Sequence, residues 1–184
     1  GDSLIVSSTT IYNELVRRRP DLAKVLMEPL QRTFVSENPD DSERFVDVPL
    51  FMPKGNRMIA HYVRGHIFKA QAIPGVRPFT NAQKEALALV DNIADHPDFF
   101  LDMQFRPGDI QFLCNHTILH SRRSFKDSDD LAKRRHLLRL WLACKDGPRL
   151  PKWIIDAYDS GHAFGRQDGY YHPAIPLCVP LQAT

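Results

Sequence analysis

The chain has 184 residues, 43% of them hydrophobic and 10% aromatic, with three cysteines and a formal net charge of +2. That is apolar material for one substantial core and argues against a second domain, while so small a charge gives no overall field to draw the chain onto nucleic acid or an anionic lipid surface. Cys114, Cys144 and Cys178 are too scattered for a disulfide scaffold or a metal knot, no apolar run approaches the ~20 residues of a membrane span, and the N-terminus lacks a signal-peptide layout, so a cytoplasmic protein is expected.

The elements follow in chain order. Ser8-Thr9-Thr10 offers a helix cap for residues 11–18, and Pro20 ends that helix or restarts it as a second turn through Leu26 and Met27, which Pro29 closes. The polar stretch 36–42 reads as an exposed loop. Two strands are expected next, over 44–51 and 57–63, joined by the turn Pro53-Lys54-Gly55-Asn56. Tyr62 and Arg64 would alternate on the second of them. Thr80 and Gln83 make a capping box, and Ala86, Leu87, Leu89, Val90 and Ile93 form the apolar stripe of a helix over 81–94. A strand over 99–105, a tight turn at 106–109 and a returning strand over 110–114 are predicted after it.

The returning strand leads into CNHTILHSRRSF, where His116 and His120 stand four apart. On a helix that interval would put both imidazoles on one face, as zinc proteases do. Position 117 is threonine where that motif needs a glutamate base, and a strand end is the wrong setting, so the protease reading is set aside. The segment 134–142, if a strand, places Arg135, Leu137, Arg139 and Trp141 on one face and His136, Leu138, Leu140 and Leu142 on the other. Two guanidiniums on one face can grip a carboxylate if they look into a pocket. As ordinary surface arginines they would point to solvent, and pattern alone favours that outcome. His61, His66 and His136 read as structural histidines. The tail 154–184, with aromatics and histidines among glycines and prolines, has no helical period and is expected to cover an active-site mouth or an oligomer interface.

Four stretches together resemble one family. GDSLIVSS (1–8), RPGDIQFL (106–113), NHTILHSR (115–122) and RRHLLRLW (134–141) are similar to the taurine dioxygenase and 2,4-dichlorophenoxyacetate dioxygenase family, in consistent order over residues 1 to about 153. The resemblance implies an α+β fold, a double-stranded β-helix or jelly roll with flanking helices, incomplete at its N-terminus. It implies iron(II) as cofactor, with 2-oxoglutarate and molecular oxygen as co-substrates. By that resemblance His120 is the distal iron ligand, Arg135 and Ser3 contact the far carboxylate of 2-oxoglutarate, Arg139 faces the co-substrate or an anionic substrate, and His116 is a neighbour of the site rather than a ligand. The ligand types suit the metal, since iron(II) accepts imidazole and carboxylate on one face and leaves room for a 2-oxo acid.

The family's early H-x-D pair has no match ahead of Ser3. His96-Pro97-Asp98 is the only literal one, and it reads as the end of a helix. The expectation is therefore a C-terminal portion of a longer dioxygenase that oxidises a small organic substrate. A second reading is a non-catalytic β-helix protein that binds a carboxylate ligand or a protein partner. Nucleic-acid binding is weaker still, because Arg17-Arg18-Arg19, Arg122-Arg123 and Arg134-Arg135 lie on different elements.

Overall fold

The computed structural model describes residues 2–33, 45–126, 128–130, 134, 137–140, 150–152 and 154. The chain enters on strand β1 (Ser3–Ser7) and turns directly into helix α1 (Ser8–Arg18). Ser7, one residue earlier than the expected cap, accepts from the Thr10 amide at 3.3 Å, which satisfies one of the free donors of the first turn. Ile11 and Leu15, four apart, are fully buried on the inner face. Pro20 starts the short helix α2 (Pro20–Val25), where its missing N–H costs nothing.

Pro29 does not simply close the helix. It opens strand β2 (Pro29–Arg32), which pairs antiparallel with β3 (Val46–Pro49). The expected strand over 44–51 is thus two strands, broken at Leu50. The amides of Leu50 and Phe51 both donate to the Leu26 carbonyl at 3.0 Å, and the Leu50 carbonyl accepts from His61 at 2.9 Å. Backbone groups that leave the ladder at the break are paired elsewhere in the fold. Strand β4 (Phe51–Lys54) then pairs with β5 (Arg57–Ala60) across a turn at which Gly55 holds φ +59, as the hairpin punctuation predicts.

The second predicted strand ends early, and Arg64 begins helix α3 (Arg64–Ala70). Tyr62 and Arg64 therefore do not alternate on a strand. Both turn to one carboxylate, with the Tyr62 hydroxyl on Asp91 Oδ1 at 2.6 Å and the Arg64 Nε on Asp91 Oδ2 at 2.7 Å. Asp91 lies on α4 (Asn81–Ala94), which forms where the stripe predicts, with both hydrogen bonds of the Thr80–Gln83 capping box in place. The loop 36–42 and the tail from residue 155 lie outside the described residues.

After α4 the chain makes strand β6 (Phe100–Met103) and the turn 106–109, where Gly108 holds φ +93 and the Asp109 carboxylate accepts from the Arg106 amide at 2.7 Å. Residues 110–114 form no ladder, contrary to expectation. The partner of β1 on its other side is β7 (Ile118–Arg122), so β1 is the central strand of an antiparallel sheet ordered β6-β1-β7. Residues 137–140, inside the last predicted strand, are irregular, and the rest of that segment apart from Arg134 lies outside the described residues.

The main core fills the space between this sheet and the helices. Val6 of β1 is buried in it with Ile11, Leu15, Leu87, Val90 and Ile93, and Phe100 and Leu119 pack against it from the flanking strands. A smaller cluster joins Val48, Met52 and Ile59 to Leu150 and Ile154. The architecture is α+β, with three antiparallel sheets. Among the described residues the strands do not close into a jelly roll.

Candidate active site

Directly opposed residues of an antiparallel pair project from the same face of the sheet. The register of β1 with β6 and β7 therefore sorts the side chains into two sets. Val6, Phe100 and Leu119 point to the core, while Ser3, Ile5, Leu101, Met103, His120 and Arg122 point away from it. Ile5 stands opposite His120, and Ser3 stands opposite Arg122. Ser3 and His120 are consequently diagonal neighbours, with α-carbons about 7–8 Å apart. Two positions separated by 116 intervening residues meet on one face because a long connection returns β7 to the edge of β1.

The segment before His120 is pinned on the core side. The amide and the hydroxyl of the fully buried Ser8 both donate to the Thr117 carbonyl at 2.9 Å, and the Ala60 amide donates to the His116 carbonyl at 2.8 Å. Ser8 is expected as part of the helix cap, not as a partner of the Thr117 carbonyl. The only signal for it was a second serine beside a helix cap.

His120 keeps an exposed edge. Desolvation, and after it the Arg139 guanidinium, hold its pKa below the ordinary imidazole value. A neutral imidazole is the form a divalent metal takes, so His120 fits as one iron ligand. Among the described residues no group of three or more His, Cys, Asp or Glu could hold a metal. His116 lies in the turn before β7, its pKa lowered by burial, and the sheet does not present it beside His120. His96 and Asp98 sit in an exposed turn after α4, 3.7 Å apart, as the helix-end reading expects.

The Arg139 charge is the second of the two causes that lower the His120 pKa. Arg135 lies outside the described residues. Next to Ile5 opens a cavity of about 570 Å³, walled by Met103, Phe105, Ile110 and Phe112 with Asp109 at its margin. That size suits a small organic molecule. Among the described residues no lysine or arginine lines it.

His61 and His66 sit away from this face and are satisfied structurally. His61 Nδ1 meets the buried Arg32 guanidinium, and His66 Nδ1 meets the Thr33 carbonyl at 3.1 Å. Burial above all, then the nearby Arg32 charge, push His61 down to about 3.

Residues 1–141 match the family model described as taurine catabolism dioxygenase TauD, TfdA family. The chain belongs to this family. It is 35% identical over 144 residues to the taurine hydroxylase-like protein SAT17 of Stachybotrys chartarum, covering 76% of this chain and 36% of that protein. It is also 25% identical over 154 residues to the FR-33289 synthase of Streptomyces rubellomurinus, covering 82% of this chain and 45% of that one. The TauD/TfdA-type chain thus spans less than half the length of these curated relatives. Ser3, His120, Arg135 and Arg139 all fall inside the family match.

Proposed function

We propose that the TauD/TfdA-type chain is the C-terminal part of an iron(II)- and 2-oxoglutarate-dependent dioxygenase that oxidises a small organic substrate, with a jelly roll closed by further polypeptide. The supporting observation is that Ser3 and His120 share one face of the β1–β7 pair. In this reading His120 holds the metal, Ser3 and Arg135 hold the far carboxylate of 2-oxoglutarate, and Arg139 faces the co-substrate or an anionic group of the substrate.

The iron, once bound, supplies the redox chemistry that couples decarboxylation of the 2-oxo acid to oxidation of a C–H bond. The overall change balances as 2-oxoglutarate, O₂ and R–H giving succinate, CO₂ and R–OH. The chain's own residues bind and orient. The carboxylate at the far end of the co-substrate is ionised, so leaving water requires a cation and a hydroxyl. Ile5, opposite His120 and two residues from Ser3, offers an apolar surface beside the line that joins them. The cavity beyond Ile5 is lined mostly by apolar side chains, with Gln104, Asp109 and Gln111 among them, which fits a substrate with a hydrocarbon body and a polar group. Hydroxylation is the simplest outcome.

The test is 2-oxoglutarate decarboxylation by the iron-loaded holoenzyme, followed as succinate and CO₂. His120→Ala is expected to abolish it and to weaken cobalt(II) binding. Full decarboxylation in that variant would reject the reading. The absence of a three-donor cluster among the described residues favours one alternative, a non-catalytic carboxylate binder. It predicts succinate binding in a holoprotein that never consumes oxygen.

A further inference from the structure

We propose that Arg122 and Ser3 together form a carboxylate-binding subsite on the sheet face that carries His120. The proposal rests on the oxygenase reading of that face and adds a residue to which the family resemblance assigns no role. Ser3 and Arg122 are direct cross-strand partners, which sets their Cβ atoms about 5 Å apart on the same side. His120 projects from that side two residues earlier on β7.

Neither the Ser3 hydroxyl nor the Arg122 guanidinium has a hydrogen-bond or ion-pair partner among the described residues. The guanidinium is nevertheless held in place. Its carbon lies 4.0 Å from the centroid of the Phe125 ring, and stacking fixes the plane of the fork while leaving its N–H edge open. The next residue shows the contrast. Arg123 projects from the opposite face, where its Nε donates to Asp102 at 2.9 Å and its charge lies over Phe100 at 5.5 Å. Arg64 and Arg77 are likewise paired with Asp91 and Asp47. Arg122 is thus an oriented cation with its donors unspent, across from a hydroxyl with its donor unspent.

The ligand that fits is a carboxylate, which accepts two parallel N–H bonds from a guanidinium and a third from a hydroxyl. That carboxylate can come from 2-oxoglutarate or from the substrate. The chemistry at Arg122 is the same for both.

Succinate is the first probe, titrated into the metal-free protein with ¹⁵N-labelled arginine. Succinate should shift the Arg122 Nε–Hε resonance, identified by its loss in Arg122→Gln. That variant should bind succinate at least tenfold more weakly, the loss expected for a charge-assisted hydrogen bond, with an unchanged melting temperature. Arg123→Gln should bind succinate normally. In the iron-loaded holoenzyme, a raised KM for 2-oxoglutarate in Arg122→Gln assigns the subsite to the co-substrate. An unchanged KM with selective loss of carboxylate-bearing substrates over uncharged analogues assigns it to the substrate. Unaltered succinate affinity and unaltered kinetic constants in Arg122→Gln would overturn the proposal. If His120→Ala instead leaves decarboxylation intact, the assignment of the metal to this face falls, and the succinate titration still judges the subsite by itself.

Discussion

His61 is an imidazole kept neutral by its surroundings. The ring is buried and its Nδ1 faces the Arg32 guanidinium, so protonation inside the fold is opposed twice, and the pKa falls to about 3 from the usual 6.5. In the unfolded chain the same ring titrates normally. Between those two values the unfolded state binds the extra proton, so stability is full above pH 6.5 and declines as pH falls towards 3, by up to about 1.4 kcal/mol per pH unit. His66 and His116 are shifted in the same direction, so they add to the slope. Melting temperatures at pH 7, 6 and 5 should fall progressively, and His61→Gln, which keeps an acceptor for Arg32, should flatten the decline. Ser8 acts at the other end of the same scale. Its hydroxyl gives the Thr117 carbonyl a second donor besides the Ser8 amide, so Ser8→Ala should cost about 1 kcal/mol in urea unfolding. Sequence identifies neither partnership, because Ser8 and Thr117 are 109 residues apart and nothing local marks a serine that bonds across such a distance.

At the level of elements, local chemistry was readable and long-range pairing was not. Helix α4 was legible because both of its signals, the capping box and the apolar stripe, lie within fifteen consecutive residues. Thr80→Ala removes the side-chain acceptor for the Gln83 amide and should lower stability by about 1 kcal/mol, measured by thermal or urea unfolding. The strand expected over 44–51 has an unbroken β-rich composition, yet Leu50 leaves the ladder because Leu26 takes the two amides around it. That competitor comes from α2's end and is invisible in the window. Helix α3 escaped notice because its seven residues start without a side-chain cap, and Val63 before them reads as strand. Residues 110–114 follow a tight turn after β6 and were expected to pair back onto it, yet among the described residues the outer edge of β6 carries no ladder. Ser3 and His120 came from resemblance to a family. That they share a face with Arg122 follows only from the ladder register.

On the scale of the whole molecule, the sheet has one finished side. Its core face is packed by α1 and α4, whereas the face with Ser3, Ile5 and His120 looks onto a cavity whose walls include Ile110 and Phe112, 78% and 79% exposed. A divalent ion bound by protein needs several donors at once, and affinity rises steeply with each deprotonated ligand the fold presents together. Among the described residues no three His, Cys, Asp or Glu side chains come together to supply them. The 184-residue chain is therefore expected to bind iron(II) or cobalt(II) weakly and to decarboxylate 2-oxoglutarate at background rate. The same chain within a polypeptide of its relatives' length should do both. Cobalt(II) is the informative probe, because its visible absorption reports ligand number and geometry without oxygen chemistry. A tight, intense tetrahedral or five-coordinate spectrum from the 184-residue chain would show that the residues beyond those described complete the site. A spectrum of the hydrated ion that His120→Ala leaves unchanged would place the missing donors on the additional polypeptide.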